Sequence, residues 1–166
     1  MKNNKAQKYS VSMDTTAWII TTIMLIITMY LSYDKINEYK RSKETYQLVV
    51  VGVLCAIMII SLALRPLYYE IRNNTLIIKR LAGNIRIKKQ DILSVENMDE
   101  MHSGILIRTF GIGGYFGYFG KYRSSSLGAL NLYATRKNHR ILISTRHMGK
   151  IIITPDDINM VSDLLL

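Results

Sequence analysis

Residues 15–33 and 45–64 carry no charged side chain, and both stretches are almost continuously apolar. Each approaches the roughly 20 residues that a helix needs to cross about 30 Å of hydrocarbon. Trp18, Tyr30 and Tyr33 bracket the first run, and Tyr46, Tyr68 and Tyr69 bracket the second. Amphipathic rings prefer the headgroup level, so this placement favours spanning helices over core helices. A remaining domain of about 100 residues could not wrap two such helices on all sides. A cleavable leader would use Lys2, Lys5 and Lys8 as its basic region, but Leu31, Ser32 and Tyr33 make no small-residue cleavage site.

The segment between the runs, residues 34–44, is short and polar, so the helices form a hairpin with both ends on one side. Lys2, Lys5, Lys8, Arg65, Arg72, Lys79 and Arg80 at those ends outnumber Lys35, Lys40, Arg41 and Lys43 in the connection. The excess places the ends in the cytoplasm. The reading is a tail at 1–14, a transmembrane hairpin at 15–64 (helices 15–33 and 45–64) and a domain at 67–166, multi-pass in the cell membrane. Thr21, Thr22, Thr28 and Ser61 are the deep hydroxyls, able to bond back to helix carbonyls. With no ionisable residue at mid-span, the usual mark of an ion path or proton relay is missing.

A chain of 166 residues has room for one ordinary domain beside such an anchor. Its 22 Lys+Arg against 12 Asp+Glu give a net charge of +10. That excess suits an anionic partner, and a juxtamembrane position beside acidic lipid explains it without a specific ligand. The single cysteine, Cys55, lies inside the second apolar run, which rules out an intramolecular disulfide framework.

After Arg65-Pro66 the pattern changes period. Residues 67–72 and 75–80 are strand-like, separated by Asn73-Asn74, a pair tolerant of left-handed backbone. Residues 84–88 alternate apolar and basic, and 92–95, 104–110 and 127–135 are further strand candidates. Residues 136–139 read as a turn, and 140–145 with 150–153 as a hairpin around His147, Met148 and Gly149. A helix is expected at the C-terminus, with Thr154 as N-cap, Pro155 in its first position, Asp156 and Asp157 near its positive end, and Ile158, Val161 and Leu165 on one face. The fold class is α+β, mainly β: a helical hairpin followed by an antiparallel β-barrel that a C-terminal helix caps.

This succession resembles a bacterial PH (pleckstrin-homology-like) domain of the membrane-anchored kind. The likeness rests on the glycine/aromatic tract from Arg108 to Gly120, on Tyr133-Ala134-Thr135, and on Ile151-Ile152-Ile153-Thr154-Pro155-Asp156-Asp157. It covers residues 67 to 166 and implies a fold rather than a reaction, with no catalytic residues and no cofactor to carry over. Eukaryotic PH domains that bind phosphoinositides use a basic cluster near their first strands. By that resemblance Lys79, Arg80, Arg86, Lys88 and Lys89 are the candidate anionic-lipid contacts.

The spacing Gly111-x-Gly113-Gly114-x-x-Gly117 superficially suits phosphate cradling, but that mechanism needs a helix to follow, and the glycine/aromatic mix continues instead. Two readings of the tract stay open. Its rings fold back onto the core, or Phe110, Tyr115, Phe116, Tyr118 and Phe119 form a contact for a protein partner or the bilayer interface. Nucleic acid is not an expected partner, because no recognition-helix pattern is present. His102, His139 and His147 share no metal-like spacing, and neither Asp99-Glu100 nor Asp156-Asp157 has an acid–base context. The expectation is a non-enzymatic binding module in the lipid bilayer that contacts a protein or anionic lipids. The alternatives are anionic-lipid recognition by the basic cluster and a regulatory subunit of a membrane enzyme.

Overall fold

The computed structural model describes residues 6–98 and 106–165; Lys2, Lys5, Asp99, Glu100, His102 and Gly104 lie outside them. Helix α1 (Thr15–Ser42) starts on Asp14, whose extended backbone and carboxylate cap the Ala17 N–H at 2.7 Å. It ends on Lys43 in left-handed conformation, with Lys40 and Arg41 in the last turn, where the helix dipole favours them. The helix therefore runs well past Tyr33, through most of the segment read from sequence as a connection. The Lys35–Glu38 pair at 2.7 Å supports that extension on one helix face. Helix α2 (Tyr46–Leu64) follows after three residues and stops where Arg65 turns extended ahead of Pro66. Both helices are long and apolar enough to cross a membrane.

Strand β1 (Gln7–Ser10) lies before α1, in the segment the sequence reading treats as a tail. It pairs antiparallel with β2 (Tyr68–Arg72), Tyr9 opposite Tyr69. β2 turns at Asn73 and Asn74, both at positive φ, into β3 (Thr75–Lys79), which pairs with β4 (Ile85–Lys88). The order β1-β2-β3-β4 makes one sheet. The second contains β5 (Ile92–Met98), β6 (Leu106–Gly113), β7 (Tyr118–Ser124), β8 (Gly128–Ala134), β9 (Arg140–Thr145) and β10 (Gly149–Ile153), in the order β5-β9-β10-β8-β7-β6. Among the described residues the two sheets share no ladder, so they pack against each other rather than close into one cylinder. One pair departs from the expected antiparallel pattern. The tight turn after β9 sends β10 back between β9 and β8, which leaves β10 parallel to β8.

The runs Ile141-Leu142-Ile143 and Ile151-Ile152-Ile153 are apolar at every position because these central strands are covered on both faces. Ile141, Ile143, Ile151 and Ile153 meet Tyr9, Tyr69, Leu76, Ile78 and Ile87 of the first sheet. Leu142 and Ile152 point the other way, toward Tyr118, Tyr122, Leu130, Leu132 and Ala17 at the base of α1.

The C-terminal helix, α3 (Met160–Leu165), begins later than the sequence suggests, and Met160 and Leu164 are its buried residues, while Ile158 and Leu165 are exposed. Thr154 does not cap it. Its hydroxyl accepts the Thr135 N–H at 3.0 Å, and its own N–H donates to the buried Tyr69 hydroxyl. Asp156 is likewise diverted from the helix start: its carboxylate accepts the Ser12 N–H and hydroxyl and pairs with Arg136. These partners outcompete a cap because they are buried or charged.

Burial alone would raise the Asp156 pKa, but the hydrogen bonds from Ser12 and Ser10 and the Arg136 charge outweigh it and hold it below 3.8. A depressed carboxyl stabilises the fold fully above its ordinary value and loses that contribution as pH falls through the lowered one. Melting between pH 5 and about pH 2 should therefore show a weaker acid dependence for Asp156→Asn than for the wild type. Parallel curves would mean that the carboxylate contributes nothing to acid stability.

Candidate functional site

The helix hairpin is built into the domain, with no tether between them. Asp14, besides capping α1, accepts the Lys137 N–H at 2.9 Å and the Tyr118 hydroxyl at 3.3 Å, and its own N–H donates to Thr135 O. Ser12 is held from both sides, by Thr135 Oγ1 on its carbonyl at 2.7 Å and by Asp156 on its N–H. Nearly two turns into the helix, the buried Thr21 hydroxyl donates to Gly114 O and accepts the Phe116 N–H at 2.9 Å. At α2, the Ala63 carbonyl accepts the Ala82 N–H.

Those bonds fix the glycine/aromatic tract, which is a strand–turn–strand ribbon and not a loop that cradles phosphate. β6 and β7 pair through it, with a bulge near Thr109 and the tip closed by Gly114 N–H on Gly117 O at 2.8 Å. Gly111 stands opposite Gly120, each at positive φ with the other's backbone where a Cβ would go. The glycines therefore serve close backbone approach.

Of the candidate contact rings, Phe110 is 77% exposed, whereas Tyr115 at 9%, Tyr118 at 8% and Phe119 at 3% are buried. Phe116 is half-buried, its ring tilted against Tyr115 at 4.6 Å. Tyr118 and Phe119 are adjacent on β7 and so face opposite sides of the ribbon, Tyr118 toward Asp14 at the start of α1. Phe110 and Phe119 flank a cleft of about 240 Å³ with Leu64, Ile112, Arg80 and Lys121 at the end of α2.

The basic candidates are dispersed. Lys79 is 3.8 Å from the buried Glu70, Arg80 donates to Gly83 O and lies over the Tyr133 ring, and Lys89 donates to Asp163 O. Arg86 and Lys88 are exposed on the outer side of β4, whose Ile85 and Ile87 face inward.

A denser cationic group lies elsewhere. A cavity of about 470 Å³ opens between Ile20 of α1 and the six-stranded sheet, lined by Arg108, Arg136, Lys137, Arg140, Tyr118 and Tyr122, with apolar walls from Leu106 and Leu132. Lys137 sits 5.7 Å from the Tyr118 ring centre, and Tyr122 donates to Ile112 O at 2.6 Å. Burial raises the Tyr118 pKa, reinforced by Asp14, and burial raises that of Tyr122 against a smaller opposing effect of Arg108. Both remain neutral hydroxyls at physiological pH. Sequence reading missed this set because its cations come from β6, from the β8–β9 turn and from the start of β9. The one local sign was the charge-dense turn Arg136-Lys137-Asn138-His139-Arg140. Among the described residues, no three His, Cys, Asp or Glu side chains converge on a metal-sized site.

Two packed sheets with a C-terminal helix against the core define a domain of pleckstrin-homology type. The chain belongs to the bacterial PH domain family, which matches residues 67–166. No curated protein and no solved structure matches it. Domains of this kind are generally non-catalytic binding modules. The family match begins after α2, yet β1 completes the first sheet from the other side of the hairpin.

Proposed function

We propose that this protein is a membrane-anchored, non-enzymatic binding module that holds its PH-type domain against the cytoplasmic face of the bilayer. The observation that carries the reading is the continuity of α1 with the domain through Asp14, Ala17 and Thr21. A domain so attached keeps one face at the lipid surface. Support for spanning comes from burial: only 11% of the apolar window of each helix is covered by the protein itself. A helix from a soluble core would be enclosed. At the end of α2, Arg65 Nε is buried without a partner among the described residues.

Carbonate washing of membranes should leave the full-length protein in the pellet, and detergent should release it. Recovery in the wash would overturn the anchor. Orientation is tested with Met148→Cys in a Cys55→Ser background, since Met148 is exposed in the β9–β10 turn. An impermeant maleimide should label it in inverted vesicles and not in intact cells. Labelling of intact cells would place the domain outside.

A further inference from the structure

We infer that Phe110 and Leu81 insert into the lipid–water interface beside the end of α2, so that one flank of the domain rests in the membrane surface. The inference rests on the membrane-anchored reading above and names the flank that meets lipid. Its first support is contact with the helix itself. Ala82, in the β3–β4 connection, donates its N–H to Ala63 O at 2.8 Å, in the last turn of α2. Leu81, the residue before it, is 63% exposed. Phe110 lines the cleft that contains Leu64, the final residue of α2. Two large apolar side chains, one from each sheet region, therefore stand open next to the same helix terminus. Single exposed apolar residues are ordinary on a protein surface, but these two continue the apolar surface of a membrane helix.

The second support is the course of the ribbon. Arg108 stands opposite Tyr122, whereas Phe110, two residues on, stands opposite Lys121. Without the bulge between them, strand alternation would place Phe110 on the side of Arg108. The bulge turns it, together with Ile112, onto the face that carries Phe119 and Tyr133. The Thr109 hydroxyl holds this turn of chain by donating to Lys121 O at 2.9 Å. At 77% exposed, Phe110 gains little from the protein core for being placed there.

The third support is the chemistry of the rim. Arg80 and Lys121 flank the cleft, and no carboxylate lines it among the described residues. The Arg80 guanidinium lies over the Tyr133 ring, 5.7 Å from its centre. An apolar centre with an aromatic and cationic rim suits the bilayer interface, where rings sit at headgroup level and cations meet acidic lipid. Leu93 provides a contrast. It is 62% exposed, but it lies beside Asn74, at the far end of the β2–β3 hairpin from α2. The five residues of β2 separate that end from the helix by about 16 Å of strand.

The test uses the full-length chain, whose single tryptophan is Trp18. In a Trp18→Phe background, Phe110→Trp, Leu81→Trp and Leu93→Trp each introduce one reporter. Each variant is reconstituted into phosphatidylcholine–phosphatidylglycerol vesicles, with and without acyl chains brominated near the glycerol. The Phe110→Trp and Leu81→Trp reporters should emit at shorter wavelength than Leu93→Trp and lose intensity to the brominated lipid. Acrylamide should quench chiefly Leu93→Trp. Melting in detergent checks that each variant is folded. Reporters at 110 and 81 that ignore bromine and yield to acrylamide as readily as the one at 93 overturn the inference. Shielding of both from bromine and acrylamide assigns the patch to a second copy of the chain and overturns the lipid contact. Equal bromine quenching at all three positions also overturns it, since no particular flank would then face lipid. Protein that fails to float with the vesicles refutes the anchor itself, a different outcome from a floating protein with unquenched reporters.

Discussion

Gly120→Val abolishes the folded domain, with a destabilisation of more than about 3 kcal/mol. Gly120 has φ +126, and a Cβ there would meet Phe110 O and lie 2.6 Å from Gly111 Cα. Both obstacles are backbone, so no rotamer change relieves them, and the positive φ adds strain for a β-branched residue. Separating β6 from β7 also frees the ribbon tip from Thr21, which transmits the damage to α1. Gly52→Ala is the matched control, since nothing lies within 4 Å of its added methyl. Its folded yield and melting temperature in detergent should equal or exceed the wild type. A Gly120→Val variant that melts with the wild type would mean that the two strands are not in such close contact.

The elements that could be read in the sequence were those set by local chemistry. The apolar runs lack charge, Asn73-Asn74 supplies two left-handed residues, and residues 84–88 alternate apolar and basic. What escaped depends on partners far along the chain. β1 is an edge strand of four residues, QKYS, stabilised by pairing with β2 and by Tyr9 and Gln7 donating to Asp163. No local pattern announces it. The Thr154-Pro155-Asp156-Asp157 run has every mark of a helix start, yet Tyr69, Ser12 and Arg136 claim its polar groups first. β7 was hidden by glycines that usually weaken strands and here allow one. The cationic cavity was the least legible feature, because Arg108 and Arg140 meet only through the order β9-β10-β8-β7-β6.

Asp14→Ala should uncouple the hairpin from the domain without unfolding the hairpin. The substitution removes the α1 cap, worth about 1 kcal/mol, and two further hydrogen bonds to a charged acceptor. A loss of about 3 kcal/mol is expected, and Asp14→Asn should recover part of it because asparagine also caps. The loss is unevenly distributed. Most of α1 is held by its own hydrogen bonds and its apolar surroundings, so far-ultraviolet helicity in detergent should persist. The domain, which loses its grip on Lys137 and Tyr118, should melt earlier and separately. Limited proteolysis should then cut near residues 10–14, where the released chain passes from β1 into α1. One cooperative transition at the wild-type temperature would mean that the attachment runs through Thr21 and Ala17 instead, with Asp14 serving only the first turn of the helix.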